Sequence, residues 1–488
     1  MTMMNPSAGD RIFGIETEFG CLVDSDGMTP EMAVEAIKNH VFFAMRLGAI
    51  DYHTRDDVFE PARCGGFLTN GGRLYIDAVG SHLEYATAEC RDLKDVVAND
   101  RAGQLQIVRA VRELGLQDEV SVYNNSVDHF GGHTFGCHEN YLVRMTEDFF
   151  SDQAPLLYSF LVTRQIFAGV GRVGGHILAE GGPPDRQSFE ENPIDYIWVS
   201  QIYNVYEDTS VDFQLSQRAD HIIKTIASRV RFNRALINPK WEHFYAHDGM
   251  HRLHLLFGES NQSEYAYALK VGTTNLVLRL LEDGYLADAW QIADPLMALR
   301  TISRDPNYAW RVNLVDGREV SAIDVQRQLL EKAEKYAGSS QDVDWTLQEW
   351  GRTLDDLEHD PMAMSDRLDW VAKRKIVEAY RAEMGLNWGD DALHSVDLEY
   401  HNIDPERSLF HALQQEGSMQ RFVPALDVIE AMTEPPQNTR AKGRSRFVKR
   451  VVEGPRTPFY VFDWSGVALS RSEYHEMPDP FDTYDDAN

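Results

Sequence analysis

Between Arg11 and Val23 the chain reads RIFGIETEFGCLV, and its alternation is the pattern any fold must accommodate. Side chains on an extended strand point to opposite faces in turn. Phe13, Ile15, Phe19, Cys21 and Val23 therefore share one face, and Glu16 and Glu18 share the other. A second stretch, Arg73–Cys90 (RLYIDAVGSHLEYATAEC), is built alike: Arg73, Tyr75 and Asp77 face one way, Leu74 and Ile76 the other. Each strand buries an apolar face and aims acids, an arginine and a phenol at an opposing surface. Carboxylates crowded on one sheet face repel one another unless protons or cations intervene. A hard divalent cation such as Mg2+ meets that need, since it prefers oxygen ligands and commonly keeps phosphates as partners. Taken alone, Glu16 and Glu18 fit a solvated sheet face as well as a metal site. Arg73 with Asp77 fits a surface charge pair, and Tyr75, Trp464, His138 and His254 fit structural roles.

The charge balance narrows the partners. The chain has 488 residues, with 77 acidic against 47 basic and a formal net charge of -30. Nucleic-acid binding needs a basic footprint, so that class is excluded as a general partner. The main basic run is Arg440–Arg446 with Lys449 and Arg450. It fits a solvated helix face, or a docking patch for an acidic, disordered protein. The four cysteines (Cys21, Cys64, Cys90, Cys137) show neither a CxxC pair nor zinc spacing, which predicts a reducing, cytoplasmic setting. The N-terminal residues lack the apolar core of a signal peptide, and no apolar run is long enough to cross a bilayer, so no membrane partner is expected.

Thr29-Pro30-Glu31 predicts a helix start running to about Leu47, and Gly48–Gly72 reads as a long loop. A helix is expected over Leu93–Leu114, and strands over Val120–Asn125 and Thr134–Met145 about a turn at Gly131-Gly132. Phe213–Arg218 and Arg252–Gly258 read as strands, the latter with Arg252 and His254 on one face. Helices are predicted over Ser263–Glu282 and through most of Asp324–Met384, with a break at Asp360-Pro361. Gly169–Gly174 spells GxGxxG, but Gly181-Gly182-Pro183-Pro184 cuts off any helix after it, so the segment reads as a glycine-rich loop. Uneven helical spacing between strands predicts an α+β fold, an antiparallel sheet packed with helices. A composition shift near Asn402–Pro405 divides a large domain, 1–410, from a small C-terminal one, 411–488.

Several segments together resemble one family. GIETEFG (Gly14–Gly20), NGGRLYID (Asn70–Asp77), EYATAEC (Glu84–Cys90), GCHENYL (Gly136–Leu142), LSQRADHI (Leu215–Ile222), RLH (Arg252–His254) and VDLEYHNIDPERSLF (Val396–Phe410) resemble the Pup ligases and Pup deamidase/depupylases. These are carboxylate-amine ligase relatives with a glutamine-synthetase-like fold. The resemblance implies an ATP- and Mg2+-dependent enzyme acting on Pup or a Pup-like small disordered modifier. The ligase joins the modifier's C-terminal Glu side chain to a lysine of a target protein through a γ-glutamyl phosphate. The deamidase/depupylase hydrolyses a Gln amide or that isopeptide bond. GIETEFG, EYATAEC, GCHENYL and the final Val461–Trp464 and Asp479–Phe481 segments look like the ligase branch. By the same resemblance Glu16, Tyr75 and Glu84 bind Mg2+, Arg73 and Thr87 contact ATP, Trp464 stacks near the base, and Asp77 is the catalytic base. Glu139, Arg252 and His254 are further candidates for metal or phosphate contact. The chain departs from the family pattern at His82-Leu83-Glu84, in one extra residue between Asp77 and Glu84, and at Asn238–Tyr245 (NPKWEHFY).

Overall fold

The computed structural model describes residues 11–50, 65–77, 82–129, 132–180, 203–227, 234–239, 249–454, 460–470 and 472–485. The strands in chain order are β1 (Phe13–Val23), β2 (Gly48–Ile50), β3 (Gly66–Leu68), β4 (Arg73–Ile76), β5 (Leu83–Ala86), β6 (Val120–Tyr123), β7 (Cys137–Arg144), β8 (Arg172–Glu180), β9 (Tyr203–Gln214), β10 (Lys224–Ile226), β11 (Ala235–Asn238) and β12 (Met250–Leu255). Ten of these form one sheet in the order β10-β11-β12-β7-β1-β5-β4-β3-β2, with β6 paired to the far end of β1. Every pair is antiparallel except β10–β11, a parallel edge that the expected all-antiparallel sheet did not include.

The alternation read in β1 decides which way the sheet faces. Phe13 and Ile15 pack into a core with the helices Leu93–Glu113 and Glu264–Glu282, while Phe19 packs with Val34, Ile37 and Val41 from the Pro30 side. Glu16 and Glu18 look out of the opposite face. Both flanking helices begin as the sequence predicts: Thr29 caps the Pro30–Asn39 helix through Met32 N–H, and Ser263 caps Glu264–Glu282 through Ala266 N–H.

Some expectations are corrected. The Pro30 helix stops at Asn39 and widens into a π turn over His40–Ala44 instead of continuing to Leu47. Gly48–Gly72 is not one loop: β2 and β3 sit at its ends, each too short for alternation to mark, and residues 51–64, with Cys64, lie outside the described residues. The expected Phe213–Arg218 strand is the end of β9, which stops at Gln214. The GxGxxG stretch is a loop only as far as left-handed Gly171; Arg172–Gly174 already belong to β8, so it is a strand start and not a nucleotide-binding helix start, and Gly181–Pro184 lies outside the described residues. So does most of Asn238–Tyr245.

From Arg440 the chain forms a small unit against the β2–β3 edge. The helix Arg440–Glu453 and the three-stranded sheet β15 (Val461–Asp463), β16 (Gly466–Ser470) and β17 (Glu473–Glu476) share a core with Ala49 and Phe67; β13 (Arg311–Asn313) and β14 (Glu319–Ser321) form a separate hairpin. The basic run at Arg440–Arg446 is neither a solvated face nor an open docking patch. Arg440 and Arg444 are buried against Glu89, and Lys442, Arg446 and Lys449 reach Asp485, the backbone at 484–485 and Glu434.

Candidate functional site

The sheet register turns the two sequence stretches into rows of side chains on one face. Tyr75 lies opposite Glu84, and Glu84 opposite Glu18, so these three form a row across β4, β5 and β1. One row over, Arg73, Ala86, Glu16 and His138 line up across β4, β5, β1 and β7. Beyond it, Gly14, Asn140 and His254 align across β1, β7 and β12. On the other side Asp77 N–H donates to His82 O at 2.9 Å, extending the same face. Directly opposed residues on neighbouring strands have their Cβ atoms within about 5 Å of each other, so each row is a set of touching side chains.

Two groups of ligand atoms result. One oxygen each of Glu18, Asp77 and Glu84 lie within 4.8 Å of one another, and so do ligand atoms of Glu16, His138 and His254. Glu16 is held by His138 Nδ1 at 3.3 Å, Asn140 Nδ2 at 3.2 Å and Arg252 Nη1 at 3.2 Å. His82 Nδ1 sits 3.0 Å from Glu18 Oε2, with its ring against Phe135. Gly136 faces this crowd, and a Cβ there would fall 2.4 Å from His138 and 2.7 Å from Glu18, so any side chain would displace a ligating group.

The electrostatics differ between neighbours. Burial resists ionisation of all three glutamates. At Glu84 burial is reinforced by the charges of Glu16, Glu18 and Asp77, which push its carboxyl well above the ordinary range. At Glu18 burial is overcome by the His82 hydrogen bond and the charges of His82, His138 and Arg234, which hold it at about 2. At Glu16 it is overcome by His138, His254 and Arg252, and the carboxyl stays well below its usual value. Tyr75 is kept a neutral phenol by burial and by Glu84 and Glu16. Burial also lowers His254 to about 3, so its neutral ring offers a lone pair; its Nε2 is 3.6 Å from Glu16, beyond hydrogen-bond reach. Oxygen-rich donors, one of them driven towards protonation for want of positive charge, fit a bound divalent cation.

Beside the acids runs a cleft of about 650 Å3. It is lined by Ile12–Glu16 of the β1 segment, Ala86–Glu89, Asn140–Leu142 and Arg252 from the sheet side, and by Arg440, Trp464 and Pro480 from the C-terminal unit. Of the residues singled out in the sequence, Glu16, Thr87 and Trp464 line this cleft, while Arg73, Tyr75, Asp77 and Glu84 stand on the adjoining sheet face. The Thr87 hydroxyl is committed to the backbone, accepting from Ile15 N–H at 3.0 Å and donating to Ala88 O at 3.0 Å. The Arg73 guanidinium lies 4.7 Å over the Tyr75 ring, and Trp464 sits edge-on to Phe67 at 5.1 Å. Arg252 and His254 do join the site; Glu139 does not. It points into the helical core, where it pairs with Arg164 and accepts from Tyr141, as the alternation of β7 already required.

Some participants carried no usable local signal. Arg218 is buried and Arg234 half-buried, with their charges acting on Glu18, and Arg218 Nε and Nη2 have no hydrogen-bond partner among the described residues. Glu89 is gripped by Arg440 at 2.8 Å and by Arg444 Nη1 at 3.0 Å. Both groupings join residues far apart in sequence, which only the sheet and the C-terminal unit bring together.

Comparison with known proteins gives one consistent picture. The family model described as Pup-ligase protein matches residues 11–468. The Pup–protein ligase of Paenarthrobacter aurescens is 34% identical over 490 aligned positions, covering 98% of this chain and 97% of the relative. That of a Nocardioides species is 33% identical with the same coverage. Among solved structures, the complex of prokaryotic ubiquitin-like protein Pup with its ligase PafA superposes with a TM-score of 0.77 at 28% identity, over 98% of this chain and 90% of the other. PafA in complex with ADP gives 0.71 at 28% identity, over 94% and 92%.

Proposed function

The chain belongs to the Pup-ligase family, and from that premise we propose how its sheet face carries out the ATP-dependent ligation of Pup to protein. The activity is ligation; the hydrolytic, depupylating alternative is not favoured. The observation that carries the reading is the adjacency of two features. A cleft lined by both Trp464 and Glu16 adjoins the acid rows of β1, β4 and β5.

ATP lies with its base end towards Trp464 and its phosphates directed past Glu16. Glu16, Tyr75 and Glu84, on adjoining rows of one sheet face, would hold Mg2+, which would screen the phosphate charge and draw electrons from the terminal phosphorus. Arg73 and Arg252 fix the phosphate side of the cleft, and Thr87 shapes the ATP contact by holding the Ile15 backbone in the lining. Phosphoryl transfer asks little covalent help of a protein, so positioning and charge supply most of the catalysis. The terminal phosphoryl group passes to the carboxylate of Pup's C-terminal Glu, giving an acyl phosphate and ADP. Arg218 and Arg234 place positive charge behind the acids, where the incoming carboxylate and the transferred group add negative charge.

A lysine of the target protein then displaces phosphate and forms the isopeptide bond. It arrives as an ammonium and must lose a proton before it can attack. Asp77, half-buried on the continuation of the acid row, attracts the cation and accepts the proton. Glu18, fixed by His82, stays ionised beside it and keeps the acceptor site negative.

The test is incubation with Pup, ATP, Mg2+ and a lysine-bearing acceptor protein. A heavier conjugate forming one-for-one with ADP is expected. Release of free protein or ammonia without matching ADP would sink the assignment.

A further inference from the structure

Arg218 is a buried cation held by very little of its own side chain. Nη1 donates to Leu256 O at 2.6 Å, while Nε and Nη2 have no partner among the described residues. Burial and the charge of Arg234 lower the guanidinium only to about 10, so it stays charged at neutral pH. Bare donors on a buried cation cost free energy until an acceptor arrives. The backbone therefore has to keep the guanidinium in place. Arg218 lies in the turn after β9, and one side chain grips that turn. Glu259, itself buried, accepts through Oε1 from Arg218 N–H at 3.0 Å and from the Ser216 hydroxyl. Its Oε2 accepts from Val170 N–H at 2.9 Å. Ser216 Oγ in turn accepts from Arg218 N–H at 3.2 Å and Ala219 N–H at 3.1 Å. Val170 precedes β8 and Ser216–Arg218 follow β9, so one carboxylate clamps both feet of the β8–β9 hairpin. Gly171 N–H, donating to Leu215 O at 2.8 Å, closes the same feet. Lys270 fixes Glu259 itself, with Nζ donating to its carbonyl at 2.7 Å. Hydrogen bonds to an ionised acceptor are the stronger kind, so the clamp is firm.

We propose that Glu259 is a positioning residue for the ligation: by fixing the turn at Ser216–Arg218 it aims the two bare donors of Arg218 at the carboxylate of Pup's C-terminal Glu. This rests on the reading of Arg218 as a charge that meets that carboxylate. Glu259 does not line the nucleotide cleft, so its loss slows use of Pup and leaves nucleotide binding as it was.

The experiment measures kcat/KM for Pup, at saturating ATP and acceptor protein, in the full chain and in Glu259→Ala, Glu259→Gln, Arg218→Lys and the double variant Glu259→Ala, Arg218→Lys. Glu259→Ala and Arg218→Lys should each lower it about tenfold or more. The double variant should fall no further than the worse single one, because both remove the same alignment. Glu259→Gln should recover part of the loss, since its amide oxygen still accepts from Ser216 and Arg218. Calorimetric ADP affinity should stay within about twofold of wild type throughout. If Glu259→Ala fails to fold in thermal unfolding, Glu259→Gln carries the same cycle. A wild type that forms no conjugate would overturn the ligase reading, and Arg218→Lys at full activity would overturn the role of Arg218; either takes the proposal with it. An impaired Arg218→Lys beside unimpaired Glu259 variants, or losses that multiply in the double variant, would overturn the role of Glu259 alone.

Discussion

Asp77 and Glu84 face the same side of neighbouring strands with opposite duties. Glu84 is packed among like charges and wants a cation, whereas Asp77 sits half-buried where the acid row meets the solvent-facing side. Asp77→Asn keeps the side chain's shape but removes the proposed proton acceptor. Conjugation is expected to fall by about 100-fold or more, while calorimetric ADP affinity stays near wild type. An Asn variant that still conjugates would refute the assignment. Glu16 has the complementary role, since it faces both the cleft and the metal-type donors. Glu16→Ala should weaken Mg·ATP binding by roughly tenfold, about 1.4 kcal/mol, and isothermal titration with and without Mg2+ separates metal from nucleotide loss. An affinity unchanged in both titrations would remove Glu16 from the site.

At the scale of elements, the C-terminal unit is held to the sheet by one buried carboxylate shared between two arginines. Burial works against ionising Glu89, but the charges of Arg444 and Arg440 outweigh it and lower the carboxyl from 4.5 to about 2. A carboxyl lowered by folding stabilises the protein above its unfolded pKa, and that contribution is lost as pH falls through the folded value. The window is therefore pH 4.5 down to about 2, and the contribution is on the order of 3 kcal/mol at neutral pH. Glu89→Gln should destabilise the protein at pH 7, and the gap to wild type should close between about pH 5 and 2 in denaturant titrations. A gap independent of pH would mean the ion pair is not the fastening. This fastening was not legible beforehand. The run Arg440–Arg446 reads as surface charge because nothing local tells a basic helix that Glu89 waits in the segment after β5.

Over the whole molecule, the helices beyond the sheet are joined by a buried charge network remote from the cleft. Asp397 receives Lys373 Nζ at 2.6 Å and Val173 N–H at 2.8 Å, with His129 Nε2 at 3.4 Å, so one carboxylate connects β8 to the helices Asp369–Met384 and Asp391–Tyr400. Removing one partner of such a pair strands the other's charge. Lys373→Met is expected to cost about 3–5 kcal/mol in chemical unfolding. The double variant Lys373→Met, Asp397→Leu should recover part of that, since it removes the stranded charge but leaves Val173 N–H without its acceptor. No recovery would show that the stranded charge is not what destabilises the single variant. Ligand linkage gives a global check: ADP at 100 times its Kd adds about 2.7 kcal/mol to stability if it binds only the folded chain.

The strand alternation at Arg11–Val23 and Arg73–Asp77 determined by itself which residues would share a face, because the period of two is a local property of extended backbone. The helix starts at Pro30 and Ser263 were equally local, being written in a capping side chain and the residues after it. Strand order and register were decided only in three dimensions. They set Glu18 opposite Glu84, brought His138 and His254 to Glu16, and turned Arg440 and Arg444 inward to Glu89. Those pairings join residues scores to hundreds of positions apart, and the free energy that selects them comes from burying whole faces, which no short stretch of sequence contains.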